Sequence, residues 1–162
     1  EKDYETAAKG FTDVIAVEGD NVDAYNYRAM SYLKLDQLEQ SAADFEKVVE
    51  LSPENKNAWT NKGVVSIKLK DYKTAANDYS QLITLEPGNL SYYKNRSVAY
   101  MQLENWEGAL NDLNDLIAKS PENGDAFYNR SNVYLQMKNQ EKACEDMRQS
   151  AKLGFDQAFN GS

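Results

Sequence analysis

Histidine is absent from the 162 residues, and cysteine occurs once, at Cys144. The first absence removes the commonest general base at neutral pH and the commonest metal ligand. The second excludes an internal disulfide, so packing must hold the fold. Long apolar runs are missing too: they stop at a few residues, as in Val64-Val65, where a bilayer span needs roughly 20. No membrane insertion is expected. Positive charge is in deficit, with 18 Lys and Arg against 26 Asp and Glu, a net charge of -8. A nucleic-acid groove needs the opposite sign, so no nucleic acid is expected as partner. A first residue of Glu1 and the lack of a signal peptide suggest a processed or excised piece of a longer chain. What is present, 41% apolar and 27% charged residues, describes a foldable chain rather than a disordered one.

Proline is scarce as well, and its scarcity is ordered. Pro53, Pro87 and Pro121 are the only copies, and both gaps are 34 residues. Rows of that length align much more of the chain. One column holds Tyr25, Trp59, Tyr93 and Phe127; another holds Ala29, Gly63, Ser97 and Ser131. Further on come Ala7, Ser41, Ala75, Ala109 and Ala143, then Phe11, Phe45, Tyr79, Leu113 and Met147. Within a row, apolar or small residues recur at spacings of three and four, as in Tyr25, Ala29 and Tyr32. A polar break at Asp36-Gln37 interrupts the pattern, which resumes at Ser41, Phe45 and Val48. Proline then ends the row, because it cannot continue a helix. Each row therefore reads as two antiparallel helices of roughly 12–14 residues. Neither helix can bury its stripe alone, and stacking the pairs covers all the stripes in one core.

The period of 34, the aromatic in the fourth position, the small residue in the eighth, tyrosine in the eleventh, alanine in the twentieth and proline at the end resemble the tetratricopeptide repeat. The resemblance covers essentially the whole chain. It implies an all-α, right-handed superhelix, a solenoid of antiparallel helix pairs. The expected plan is a lone second helix at residues 3–18, pairs at 22–55, 56–89, 90–123 and 124–154, and a tail or cap at 155–162. Ser66 departs from the pattern where tyrosine is usual. Ser150 departs where other rows have Val48, Leu82 and Leu116, and the last row lacks its proline.

A basic column, Arg28, Lys62, Arg96 and Arg130, is followed sixteen residues on by Asp44, Asp78, Asp112 and Asp146. In a helical hairpin that offset can set the two side chains across from each other, so four structural ion pairs are expected. Arginine suits three of the sites because its planar fork takes a carboxylate in two hydrogen bonds.

Just before the basic column stand Asn61, Asn95 and Asn129, with Tyr27 in the first pair and Asn26 beside it. Asparagine is a mediocre helix former, so three in one interior column need a reason. The resemblance implies that the first helix of each pair lines a concave groove. It places Asn26, Tyr27, Met30, Thr60, Asn61, Val64, Lys94, Asn95, Val98, Tyr128, Asn129 and Asn132 there. Carboxamides carry both donors and an acceptor, and can hold a peptide by its main chain. The competing reading has the asparagines bonding neighbouring helix carbonyls. One branch of the family grips C-terminal carboxylates with lysines, an arginine and asparagines. Here Asp23 and Asp125 stand at a lysine position and Asn95 or Asn129 at the arginine position, so Lys94 alone is insufficient.

Cys144, aligned with Ala8, Ala42, Ala76 and Leu110, is expected to be a buried small apolar residue. Trp59 and Trp106 are assigned to the core, and Asn55, Asn57, Asn89, Asn123, Gly88 and Gly124 to turns. Phe155 and Phe159 are expected to begin a capping turn or helix. The function expected is a non-catalytic scaffold that captures an extended peptide or partner helix, with a protein or peptide partner and no cofactor or metal. Two other readings stand beside it: a structural module that self-assembles, as in a homodimer through uncapped ends, and the non-catalytic arm of a larger enzyme. Cytoplasm and periplasm are equally compatible with the composition.

Overall fold

A computed structural model describes residues 2–155. Among these residues there are nine α-helices and no strand: α1 (Lys2–Val17), α2 (Val22–Lys34), α3 (Leu38–Leu51), α4 (Lys56–Lys68), α5 (Tyr72–Leu85), α6 (Leu90–Gln102), α7 (Trp106–Lys119), α8 (Gly124–Gln136) and α9 (Gln140–Lys152). They fall into two compact units, residues 1–86 with α1–α5 and residues 87–162 with α6–α9. Within each unit, every helix packs on the next in the chain.

Helix starts are written in side chains. Asn21, Asn55, Asn89 and Asn123 precede α2, α4, α6 and α8, and each Oδ1 accepts a backbone amide of the first turn. Asp71, Asn105 and Asn139 do the same for α5, α7 and α9, whereas Gln37 before α3 makes no such bond. Each cap satisfies an amide that the helix cannot, worth about 1 kcal/mol. The asparagines expected only in turns are thus helix caps, with the exception of Asn57, which lies inside α4.

The turn inside each hairpin follows one pattern. Asp36, Lys70, Glu104 and Lys138 all adopt left-handed backbone, with φ of 57°, 60°, 55° and 60°. The following amide reaches back to the helix, as Asp71 does to the Ser66 carbonyl at 2.8 Å and Asn139 to Tyr134 at 2.8 Å. This Schellman geometry closes the orphan carbonyls, but glycine is its natural occupant. Ser41 Oγ donates to the Ala29 carbonyl at 2.8 Å while Arg28 meets Asp44. The second helix therefore runs back along the first.

The first unit is built on Phe45, Val48 and Val49 packed with Ala29, Ala58 and Val65. The second centres on Leu113 and Leu116 with Ala109, Ala126 and Val133. Each large side chain buried this way contributes about 1.5–3 kcal/mol. Trp59 and Trp106 are partly buried against these clusters. Row two trades sizes: Tyr79 is fully buried, and a Cβ on Gly63 would lie 3.0 Å from its ring.

The cation column joins the helices of each hairpin. Arg28 Nε and Nη2 donate to the two Asp44 oxygens at 2.7 Å each, and Arg130 does the same to Asp146 at 2.7 Å. Arg96 meets Asp112 at 2.9 and 2.6 Å. Row two differs. Lys62 Nζ has a single direction to offer Asp78, at 2.7 Å, and Ser66 Oγ takes the second oxygen at 3.3 Å. Where the cation is arginine, tyrosine stands four residues on, and its ring lies near the guanidinium, 5.9 Å for Tyr32 and 5.8 Å for Tyr134. Serine at 66 is therefore the partner that a lysine at 62 requires.

Arg28, Lys62 and Arg130 also reach the helix that precedes their own hairpin. Arg28 Nη1 donates to Thr12 Oγ1 at 3.1 Å, Lys62 meets Glu46 at 2.7 Å, and Arg130 Nη1 donates to Asn114 Oδ1 at 2.8 Å. Burial pushes the Asp78 and Asp112 carboxyls above their usual range, against the hydrogen bonds from Lys62 and Arg96. Burial alone would lower Lys62, but its bonds to Asp78 and Glu46 outweigh that and hold it above its ordinary value. Hydrogen bonds donated to their aspartates raise Arg28, Arg96 and Arg130.

Three outcomes follow for urea denaturation. Lys70→Gly relieves left-handed strain at an exposed position and should stabilise by about 0.5–1 kcal/mol; a loss of stability would contradict the turn geometry. Lys62→Met strands the Asp78 carboxylate, whose side chain is 0% exposed, and should cost about 3–5 kcal/mol. By contrast, Lys47→Met breaks the solvent-facing pair with Glu50 and should change stability by less than about 1 kcal/mol.

Candidate functional site

Consecutive residues on a helix point about 100° apart, so the residue before each cation turns out of the hairpin interface. Asn61 and Asn95 are accordingly half-buried. No described residue hydrogen-bonds either carboxamide, nor that of Asn132. Asn129 is engaged in part, its Nδ2 donating to Asp125 Oδ1 at 3.2 Å while its own oxygen stays unused. Asn26 Nδ2 contacts only the Met30 sulfur, at 3.9 Å.

In the first unit, the exposed large apolar residues of α2 and α4 are Tyr27, Met30 and Val64. Met30 stands four residues after Asn26, and Val64 three after Asn61, so each shares helix surface with its asparagine. The Tyr27 ring stacks on Phe11 of α1 with centroids 5.5 Å apart. Thr60 spends its hydroxyl on the Lys56 carbonyl at 2.8 Å.

In the second unit, Lys94 pairs with Asp125 at 2.5 Å. Its charge is thereby neutralised, and the bridge ties α6 to α8 next to Asn129. Val98 and Tyr128 are partly buried, and the Tyr128 ring lies 5.6 Å from that of Phe155. Phe155 is placed by the end of α9. Gly154, at φ 78°, lets the Phe155 amide return to the Ser150 carbonyl at 3.1 Å. The Ser150 hydroxyl then donates to the Gly124 carbonyl at 2.8 Å. Serine thus replaces the aliphatic residue of earlier rows because it ties α9 to the start of α8. Gly124, expected in a turn, is instead the buried first residue of α8, where a Cβ would lie 2.7 Å from Phe155 Cβ. Phe159 lies outside the described residues.

Cys144 corrects the sequence reading: it is exposed. Ala42 and Leu110, in the same column, pack against the core clusters that include residues of α4 and α8. Among the described residues no helix follows α9, so the same helical face meets solvent.

No group of His, Cys, Asp or Glu side chains among the described residues could hold a metal ion. Nor is any described helix long and apolar enough to cross a membrane.

Models of the tetratricopeptide repeat match residues 22–55, 57–89 and 95–154. Among solved structures, YrrB, described as a TPR protein with an unusual peptide-binding site, superposes with a TM-score of 0.86 at 20% identity, over 97% of this chain and 81% of that one. A crystal structure of MamA matches with a TM-score of 0.85 at 14% identity, over 99% and 88%. MamA from residue 41 to its end, from Desulfovibrio magneticus RS-1, matches at 0.81 and 19%, over 95% and 87%. At such identities the likeness is one of fold. No curated protein sequence matches the chain. The repeat period, the helix pairs and three family matches that between them span most of the chain lead to one conclusion: the chain belongs to the tetratricopeptide repeat family.

Proposed function

We propose that the chain is a non-catalytic scaffold that holds an extended peptide or a partner helix along the outward faces of its first helices, α2 and α4 in the first unit and, separately, α6 and α8 in the second. The observation that carries this reading is the state of the asparagine column. Asn61 and Asn95 sit inside helices, where asparagine is disfavoured, and their carboxamides make no bond to any described residue. A packing role would need such bonds. A guest main chain, with one donor and one acceptor per residue, offers the partners that these groups lack. Tyr27, Met30 and Val64 in the first unit, and Val98 and Tyr128 in the second, supply apolar contact beside them. YrrB's peptide-binding site is in keeping with this reading.

The carboxylate-clamp reading loses its last support in the geometry of Lys94, whose charge is already met by Asp125. Recognition of a terminal carboxylate needs uncompensated cations.

Selection of ligands from a displayed random peptide library tests the proposal. Replacing Asn61, Asn95 and Asn129 together by Ala should weaken the selected peptides at least about tenfold, equivalent to about 1.4 kcal/mol. Melting temperature should hold or rise, since alanine is the better helix former. Unchanged affinity in the triple variant would sink the groove assignment, and a collapse in melting temperature would return the column to packing.

A further inference from the structure

For three of the cations an acceptor on the preceding helix lies sixteen residues before: Thr12 for Arg28, Glu46 for Lys62 and Asn114 for Arg130. One period beyond Asn114 the column reaches Arg148. Its polarity is inverted there. Three rows present an oxygen to an incoming cation; the α9 row presents a cation. A further hairpin of the same pattern would bring like charge against like.

Arg148 lines a cleft of about 540 Å³ on the face of α8 and α9. Phe127 and Tyr134 supply apolar walls, and Lys142 and Lys152 stand with Arg148 on its rim. Arg130 in the floor is already satisfied by Asp146 and Asn114. Lys142 has only the Tyr134 ring, 5.4 Å away, and neither Arg148 nor Lys152 has an ion-pair partner among the described residues. Three cations so placed face a single free carboxylate in the cleft, Glu145, on a chain whose net charge is -8. The cleft falls within the size range of ligand sites, about 300–1,000 Å³.

We infer that this cleft docks an acidic peptide segment of a partner protein, whose carboxylates pair with Arg148 and Lys152 while an apolar side chain lies against Tyr134 and Phe127. Arginine's fork receives a carboxylate in two bonds, and Lys152, one helical turn on, extends the charge along the same face. This surface shares no residue with the asparagine column, so the two proposals stand or fall separately.

Cys144, exposed and one turn before Arg148, provides the reporter. The chain labelled there with an environment-sensitive fluorophore is titrated with a short peptide alternating Glu and Leu around one Phe, and with its Lys counterpart. Calorimetry on unlabelled chain is run in parallel. The expected result is saturable binding of the Glu peptide alone, weakened by salt. Arg148→Asn, which restores the Asn114-like acceptor at an exposed site, should weaken binding at least about tenfold without lowering the melting temperature. The Asn61, Asn95 and Asn129 variant should bind this peptide normally. Equal binding by wild type and Arg148→Asn would overturn the inference. So would equal binding of duplex DNA or anionic vesicles, which would make the face a general anion surface. Concentration-dependent mass in sedimentation that Arg148→Asn abolishes would also overturn it, by making a second copy the occupant.

Discussion

A buried cation that must be satisfied from two sides organises this chain. Lys62 is 7% exposed as a side chain and touches Asp78 in its own hairpin and Glu46 in the one before. Arg28 and Arg130 repeat the arrangement with Asp44 and Thr12, and with Asp146 and Asn114. Such pairs add little net stability, because desolvation offsets most of the attraction. Their effect lies in what they forbid. Sliding either helix by one residue leaves a carboxylate buried without a donor, at a cost of several kcal/mol. The apolar stripes alone are less selective, since aliphatic contacts tolerate small shifts. Hydrophobic burial drives the helices together, and the ion column selects the register.

The second row shows how tightly this constraint couples neighbouring positions. With lysine at 62 the carboxylate loses a bidentate partner, and a serine hydroxyl at 66 supplies the missing donor. The same row holds Tyr79 opposite Gly63, the larger side chain against the absent one. Read one position at a time, Ser66 is a departure from the repeat and Gly63 only one more member of a small-residue column. Taken in pairs, they preserve hydrogen-bond satisfaction and core volume, the two quantities that a packed interior is least able to give up.

The period, the helix pairing and the sixteen-residue offset were legible because each depends on residue type at a fixed interval. Proline at 53, 87 and 121 and the asparagine-rich rows announce themselves. The caps were only half legible. Asn55, Asn89 and Asn123 stand 34 apart, yet near proline they read as turn residues until the backbone amides they accept are known. The acceptor column was hidden for a different reason: Thr12, Glu46 and Asn114 share a function but no side-chain class. Cys144 shows a limit of periodicity itself. A column gives the direction in which a residue points, whereas burial also needs a neighbour on that side.

Placing packing and contact on consecutive residues solves a problem intrinsic to a solenoid, in which every helix is both wall and floor. At 61–62, 95–96 and 129–130 the cation turns into the hairpin interface and the carboxamide turns about 100° away from it. The first is fixed by the fold's need for charge compensation; the second carries no such obligation, as the unengaged groups of Asn61 and Asn95 illustrate. The residues of this second column can then vary without disturbing register. At Arg148 the same logic works in the opposite sense. There a position that serves packing in earlier rows has no described hairpin to pack against, and its side chain has changed from acceptor to donor. Beside the aromatic walls Glu145 is the one carboxylate left free in the cleft, so a guest that brings further carboxylates meets charge that the fold leaves uncompensated.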